Sequence, residues 1–484
     1  TDNWQGDAIK GQKIISGKIN PKQIPDFNNF KFLRDLKSEG SFKARSFARS
    51  LIDEWIEQDI NLRSKVFDSE IMAERVSCWC FNYSWFGESG DLNFQKKVLT
   101  SIALQTKFLE LKLEETQKPN DQIIIIKGLL VAKSILYKDI NNIHAMLDIV
   151  NDAVDLLINP DGGHKSRSPV KQLLLLRQLV EIRSIVAVLK NIDAEYLHNQ
   201  TIKMGQFCRS FQMPDENFAW FNGGGLVESN LIRQTLNRIG YKNRIFNVAK
   251  DTGYCRLALN DTVVFVDTGL EKRVSPDTKA SLFAFELFYK KEKIISNLGQ
   301  IDAPNVKSMN NSLASSAAHS TLNIDDRNNI DLTGKRKIEI LNSKFLKTKE
   351  GNLIDLMHSG YESIYGVNHK RQIYVTQNQN EIRGKDEIIS IGNVGTIPKN
   401  AYIRFHICPN IELIKTRNGS ILLKHEKGFV WKMTSNNQNI NIQDSVMFGL
   451  NRPFQCKEIM ITMRLESIRA YKTISCNWAF ELQQ

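Results

Sequence analysis

The 484 residues contain no cysteine framework, no membrane-length apolar run and no metal-ligand spacing. The seven cysteines show no pairing rhythm. Cys78 and Cys80 stand too close together for a metal-binding C-x-x-C, and Cys208, Cys255, Cys408, Cys456 and Cys476 are scattered through apolar surroundings. Such thiols read as reduced and buried, which leans toward the cytoplasm. No run of about eighteen apolar residues occurs, so no membrane-spanning helix is expected. The chain opens Thr1-Asp2-Asn3-Trp4 without an apolar leader core, and this opening gives no address. H-E-x-x-H, zinc spacing and G-x-S-x-G are all missing, and Gly223-Gly224-Gly225 follows no strand that would make it a dinucleotide or phosphate loop. Neither a metal nor a cofactor is expected, although a structural divalent ion held by residues distant in sequence would leave no such signature. No helix-turn-helix, zinc-finger or RNP pattern is found either, so a nucleic-acid partner ranks last.

The chain does have enough apolar material for a large core, 42% of residues with 9% aromatic, and this excludes wholesale disorder. Its net charge of +12 is unevenly spread. Residues 1–240 hold 31 basic and 29 acidic side chains, and residues 241–484 hold 34 and 24. A basic second half suits a polyanion: nucleic acid, an anionic membrane face or an acidic polysaccharide.

Periodicity divides the chain. From Ile143 the apolar positions run Met146, Leu147, Val150, Ala153, Val154 and Leu157, the three-and-four spacing of a helix with one buried stripe, until Pro160-Asp161-Gly162-Gly163 breaks it. Residues 94–115, 122–138, 171–190 and 199–212 show similar periods, and their connections are short enough for layered helical hairpins. After about residue 250 the period becomes two. Thr262–Val266, Leu282–Leu287, Thr321–Ile324, Arg371–Val375, Tyr402–Ile407, Ile421–Leu423, Val430–Met433 and Ile459–Met463 read as short strands of a sandwich or barrel. Ala303–Ser316, rich in Asn and Ser, reads as a loop. The seam is expected near Gly240–Asp251, with a helical domain over 1–245 and a strand-rich domain over 246–484.

Three segments carry chemistry-bearing side chains. The first, Asp161-Gly162-Gly163-His164-Lys165-Ser166-Arg167-Ser168-Pro169, is a turn that leads into a helix, with His and Arg in one loop. The second, Ser315-Ser316-Ala317-Ala318-His319-Ser320-Thr321, places a histidine after small residues and before a strand, where a ligand has room to approach. The third runs from His358-Ser359-Gly360-Tyr361 through Tyr365 to His369-Lys370-Arg371. These residues could line a polar cleft or form an exposed hairpin.

Read in order, a helical half, then Gly-Gly-His-x-x-Arg-x-Pro, then a strand-rich half with Ala-His-Ser-Thr-Leu, Ser-Gly-Tyr and Gly-x-x-His-x-Arg, the sequence resembles the heparinase II/III family of polysaccharide lyases, particularly its alphaproteobacterial branch. The likeness runs from Gly6-Asp7 and Phe32-Leu33-Arg34-Asp35-Leu36 to the final strands. It implies an N-terminal incomplete (α/α) toroid followed by a C-terminal antiparallel β-sandwich. It also implies β-elimination next to a uronic acid of an acidic polysaccharide, in a cleft between the two parts. In that chemistry a polar group neutralises the uronate carboxylate while C5 loses its proton, and an acid protonates the departing O4.

Carried over residue by residue, the resemblance makes Asn120 the carboxylate-neutralising group and His164, His319 and Lys171 the other catalytic candidates. It makes Arg167, with His358, Tyr361, His369 and Arg371, the substrate-binding set. Where the family carries Tyr-His after Ser-Pro-x, this chain has Lys171-Gln172. A lysine there acts as a base only when deprotonated, so Tyr361 or Tyr254 is an alternative proton acceptor. A non-catalytic glycan-binding or envelope-building protein on the same scaffold is the alternative function. The resemblance implies a periplasmic or cell-envelope location, against the cytoplasm suggested by the cysteines. The oligomeric state is not legible.

Overall fold

The computed structural model describes residues 2–24, 26–58, 64–137, 142–189, 192–239, 245–269, 274–275, 277–301, 307–377, 380–392, 396–449 and 452–483. Contacts divide the chain into two compact units. One consists of Thr1–Ile158, Leu174–Ile202 and Gln234–Tyr241, and the other of Asn159–Leu173, Lys203–Arg233 and Lys242–Gln484. All described strands lie in the second unit and the long helices come before them, so the order is helical, then β. Residues 240–244, at the start of the expected seam, lie outside the described residues. Val248–Ala249 is already a strand.

In the helical unit several helices start on a local signal. Asp7 accepts hydrogen bonds from the Ile9 and Lys10 amides, Ser41 from Ala44 and Asp91 from Phe94. Pro119 sits in the first turn of Pro119–Leu136, where a missing N–H costs nothing. That helix is buried over Ile123–Ala132 because it packs against three others, Ser69–Phe86, Leu92–Glu115 and Ile143–Leu157. Helices Ala8–Ile15, Leu33–Glu39, Phe42–Glu57, Ser69–Phe86 and Ser229–Ile239 were not expected from periodicity. In Ser69–Phe86 the cause is plain: Glu74, Arg75, Ser77 and Asn82 are buried beside its apolar residues, which blurs the stripe. One of these polar groups, Glu74, is anchored by charge. Lys127 is buried 2.8 Å from Glu74 and 3.1 Å from Glu181, an arrangement that favours one packing over others more than it adds stability.

The strand-rich unit is an antiparallel sandwich. Among the described residues one sheet has nine strands and the other eight. The eight-stranded sheet runs, edge to edge, Ile411–Lys415, Ile421–His425, Val430–Ser435, Thr473–Gln483, Glu381–Ser390, Val367–Thr376, Gly351–His358 and Ile340–Lys347. Its inward residues, such as Ile354, Leu356, Ile373, Val375, Ile382 and Ile388, meet those of the other sheet, such as Val264, Phe285, Ile403 and Ile459, in one apolar cluster. Ala303–Ser316 is not a plain loop. Residues 303–306 lie outside the described residues, but Lys307–Leu313 forms a short helix and Ser316–Ala318 a 3-10 turn. The segment is fixed to its surroundings by the Ala280 amide, which donates to the Ala314 carbonyl at 2.8 Å.

Candidate functional site

The Pro160–Gly163 turn is anchored by one carboxylate. Asp161 accepts from the amides of Gly163, Asp251 and Thr252 at 2.8–3.1 Å and from the Thr252 hydroxyl at 2.6 Å. The fit leaves no room for a side chain at Gly163, where a Cβ would stand 2.1 Å from the Thr252 Oγ1. Arg167, with a positive φ of 59°, turns its guanidinium inward. It donates to the carbonyls of Thr252 and Gly253 at 2.8 and 2.9 Å, pairs with the buried Asp267 carboxylate, and lies 4.6 Å from the centroid of the Tyr254 ring. The residue expected at the substrate is thus buried and engaged with the protein, where it clips this loop onto the sandwich. Tyr254, one alternative base, is buried too. Its hydroxyl bonds the Arg167 carbonyl at 3.0 Å and the Asn222 amide at 2.7 Å.

The His164 ring lies in the same loop. Its Nδ1 accepts from the Ser166 amide at 3.0 Å, which leaves the ring proton on Nε2. Burial, and then the nearby Lys171 charge, push its pKa down to about 4, so the ring is neutral near pH 7. Lys171 itself is half exposed, at 52%, and pairs with Asp277.

His319 follows the Ser316–Ala318 turn. Its Nδ1 lies 2.8 Å from the Ser315 carbonyl, which can only accept, so the proton is on Nδ1 and Nε2 is bare. Burial dominates here as well and pushes the pKa to about 3, with smaller contributions from His406 and Lys279. The turn is pinned on several sides. Ser316 Oγ donates to the Ala280 carbonyl, the Leu298 amide to Ala318, and His406 Nε2 to Ala317 at 3.0 Å. His406 escaped the sequence reading because a lone histidine inside the strand Asn400–Ile407 carries no spacing signal. Asp277 and Lys279 escaped it for the same reason, although one acts electrostatically on His164 and the other on His319.

The third segment is neither an open cleft nor an exposed hairpin. His358, Tyr361, His369 and Arg371 are all fully buried inside the sandwich. His358 Nε2 meets His369 Nδ1 at 3.1 Å, and His369 Nε2 meets Asp386 at 2.7 Å. Arg371 grips both oxygens of Asp386, at 2.7 and 3.0 Å, and reaches the carbonyls of Phe283 and Ser320. Trp478 Nε1 completes the set, 2.8 Å from Asp386. Burial alone would raise the Asp386 carboxyl, but the Arg371 and His369 contacts outweigh it and hold it well below the usual carboxylate range. Tyr361, the other alternative base, donates to the Leu322 carbonyl at 3.1 Å, and burial pushes its hydroxyl far above the usual range. Asn120 lies in the helical unit, exposed in the first turn of Pro119–Leu136. The strand-rich unit thus holds Lys171 half exposed, and His358, Tyr361, His369 and Arg371 in its interior. His164 and His319 lie on loops but are both buried, at 8% and 3% exposure, contrary to the open approach expected at His319. Among the described residues no group of three or more His, Cys, Asp or Glu is placed to hold a metal ion.

Residues 242–479 match the family model for the heparinase II/III-like C-terminal domain. Among solved structures, the heparan sulfate lyase HepC of Pedobacter heparinus aligns with 100% of this chain and 84% of its own, at 13% identity and a TM-score of 0.68. A heparinase III crystal structure aligns with 96% of this chain and 79% of its own, at 14% identity and a TM-score of 0.73. FtsZ-localized protein C of Caulobacter vibrioides is 24% identical over 494 residues, covering 92% of this chain and 84% of that protein. The expected toroid-plus-sandwich fold is the one shared with these lyases.

Proposed function

Because the strand-rich half of this chain is a heparinase II/III-like C-terminal domain on a chain with the heparinase III fold, we propose that it binds a uronate-containing acidic glycan and cleaves it by β-elimination at the His164 and His319 loops. The observation that carries this reading is a pair of neutral imidazoles in opposite tautomers, one offering an N–H and the other a bare nitrogen at neutral pH. His319 Nε2 takes the C5 proton and becomes imidazolium. The C4–O4 bond breaks as the C4–C5 double bond forms, and the same proton passes to O4, so no external acid is required. The uronate carboxylate next to His319 supplies the counter-charge that raises the basicity of a ring depressed by burial. His164 Nε2–H stabilises the charge developing on the sugar, as an oxyanion donor does. Lys165 and Lys171 add positive potential around His164. Lys171 is paired with Asp277 and serves here in attraction rather than as the base. The family resemblance assigns carboxylate neutralisation to Asn120, and an Asn120→Ala variant tests that assignment on its own.

The test is the ultraviolet absorbance of an unsaturated uronate product over a panel of acidic glycans, including heparan sulfate, alginate and polygalacturonate. Product formation abolished by His319→Ala supports the reading, and no product on any glycan refutes it. A second reading is favoured by the absence of a tyrosine at Lys171 and by the name of the Caulobacter relative, FtsZ-localized protein C. In this reading the chain is a non-catalytic protein on a lyase scaffold that acts with the division machinery, and its cellular position follows that machinery rather than the periplasm or envelope. Glycan binding without turnover, unchanged in His164→Ala and His319→Ala, would select it.

A further inference from the structure

We propose that the outer face of the eight-stranded sheet carries an accessory groove for an acidic oligosaccharide, separate from the His164 and His319 loops. This rests on the glycan reading above and extends it to a second subsite. Strand register builds the groove. Thr434 pairs with Ala479, Ala479 with Arg383, Arg383 with Tyr374 and Tyr374 with Leu353, which makes one row of outward residues across five neighbouring strands. Beside it runs a polar row in which Asn477 pairs with Lys385 and Lys385 with Gln372, and Asn436 accepts from the Asn477 amide at 2.9 Å. In the first row Ala479 is the short side chain among longer neighbours. The result is a groove of about 480 Å³ rather than a flat face, a volume within the range of small-ligand sites.

The outer face of an antiparallel sheet is ordinarily polar and solvated, so polarity alone would argue nothing. Two features point to an acidic sugar. The lining combines two aromatic side chains, Tyr374 and the largely buried Trp478, with the planar amides of Gln372, Asn436 and Asn477. A ring offers a sugar an apolar face, and each amide offers its hydroxyls a donor and an acceptor at fixed spacing. The charges are also layered. The Arg383 side chain is 58% exposed and its partner Glu381 15%, while Lys385 is 39% exposed and Glu387 14%. The cations face outward and the carboxylates lie closer to the sheet. Exposed pairs of this kind are worth little in water, so a ligand carboxylate can share the cations at small cost.

The experiment uses the full chain, with size-defined heparan sulfate and alginate hexasaccharides as acidic probes and a cellohexaose control, and reads binding by titration calorimetry. Ala479→Trp fills the groove, Arg383→Glu reverses its charge, and His319→Ala disables the proposed catalytic loop. Circular dichroism verifies that each variant is folded. The expected result is binding of an acidic probe that survives His319→Ala and weakens by about tenfold or more in both groove variants, with cellohexaose clearly weaker. Acidic binding that survives both groove variants and is lost in His319→Ala overturns the groove and leaves the catalytic site standing. Equal binding of cellohexaose overturns the acidic assignment. No binding of either acidic probe to the unaltered chain overturns the groove, while the glycan panel decides separately on turnover.

Discussion

Mild acid should loosen the sandwich well before it reaches the carboxylates. His164, His319 and His406 are buried with pKa values pushed down to about 4, about 3 and about 3, chiefly by burial in each case. In the unfolded chain each returns to an ordinary value of about 6.5. The unfolded state therefore binds more protons at every pH between the two values. Stability is complete above about pH 6.5 and falls as pH drops toward the folded values. At pH 5.5 each ring costs at most about 1.4 kcal/mol, so the three together cost on the order of 4 kcal/mol. Against a typical total of about 5–15 kcal/mol, that loss is easily measured. His358, held well below its ordinary value by burial and by His369 and Arg371, acts in the same direction. The assay is urea unfolding at pH 7.5 and 5.5, with hydrogen exchange in the strands Asn400–Ile407, which carries His406, and Gly351–His358, which carries His358, to locate the change. A midpoint and exchange pattern that stay the same between these two pH values would refute the reasoning.

Other outcomes follow from single contacts. Asp386→Asn keeps the shape but removes the charge that Arg371 grips, and should cost about 3–5 kcal/mol, visible as a lower unfolding midpoint with the helical unit unaffected by hydrogen exchange. Gly163→Ala forces a Cβ onto Thr252 Oγ1 and should lower the melting temperature and raise proteolysis near residues 160–169. Lys171→Ala removes a half-exposed pair worth about 1 kcal/mol or less, so stability should hold while the salt dependence of glycan binding becomes shallower. In the free chain the rate of elimination at low substrate should stay flat from neutral pH down to about pH 5, because both rings are already neutral; a fall centred near pH 6.5 would show that His319 is not buried as described.

The order of the chain and much of its helical half were legible because a one-sided stripe survives in sequence. Ile143–Leu157 is the clearest case, with its stripe facing inward as read. Ser69–Phe86 was hidden because it is buried on several sides and carries polar groups inward. Glu381–Ser390 was hidden for a related reason: two of its inward positions are Gly384 and Asp386, so the alternation looks polar. At the candidate site, the His164 and His319 motifs stood out because several chemical groups cluster locally in each. Asp267, Asp277 and His406 contact these loops from 89–106 positions away in sequence, and spacing cannot reveal contacts of that kind. The family resemblance drew His358, His369 and Arg371 toward the substrate, but period two already placed His369 and Arg371 on the same face as Ile373 and Val375, which is the interior.

The Arg167 clip has a practical corollary for anyone who divides this polypeptide. A fragment starting at residue 246 would keep the Asp267 carboxylate, sealed from water, and discard the guanidinium that neutralises it, together with the Asp161 anchor for the Asp251 and Thr252 amides. The carboxylate would keep its hydrogen bonds from the Ser281 hydroxyl and the Gly269 amide but lose its counter-charge, and a buried charge without one is among the costlier defects a fold can carry. The matched family segment should therefore not be treated as a transplantable cassette: truncations or chimeras that omit residues 159–173 and 203–233, which belong to the same compact unit, should express as aggregates, whereas versions that keep both stretches should stay soluble.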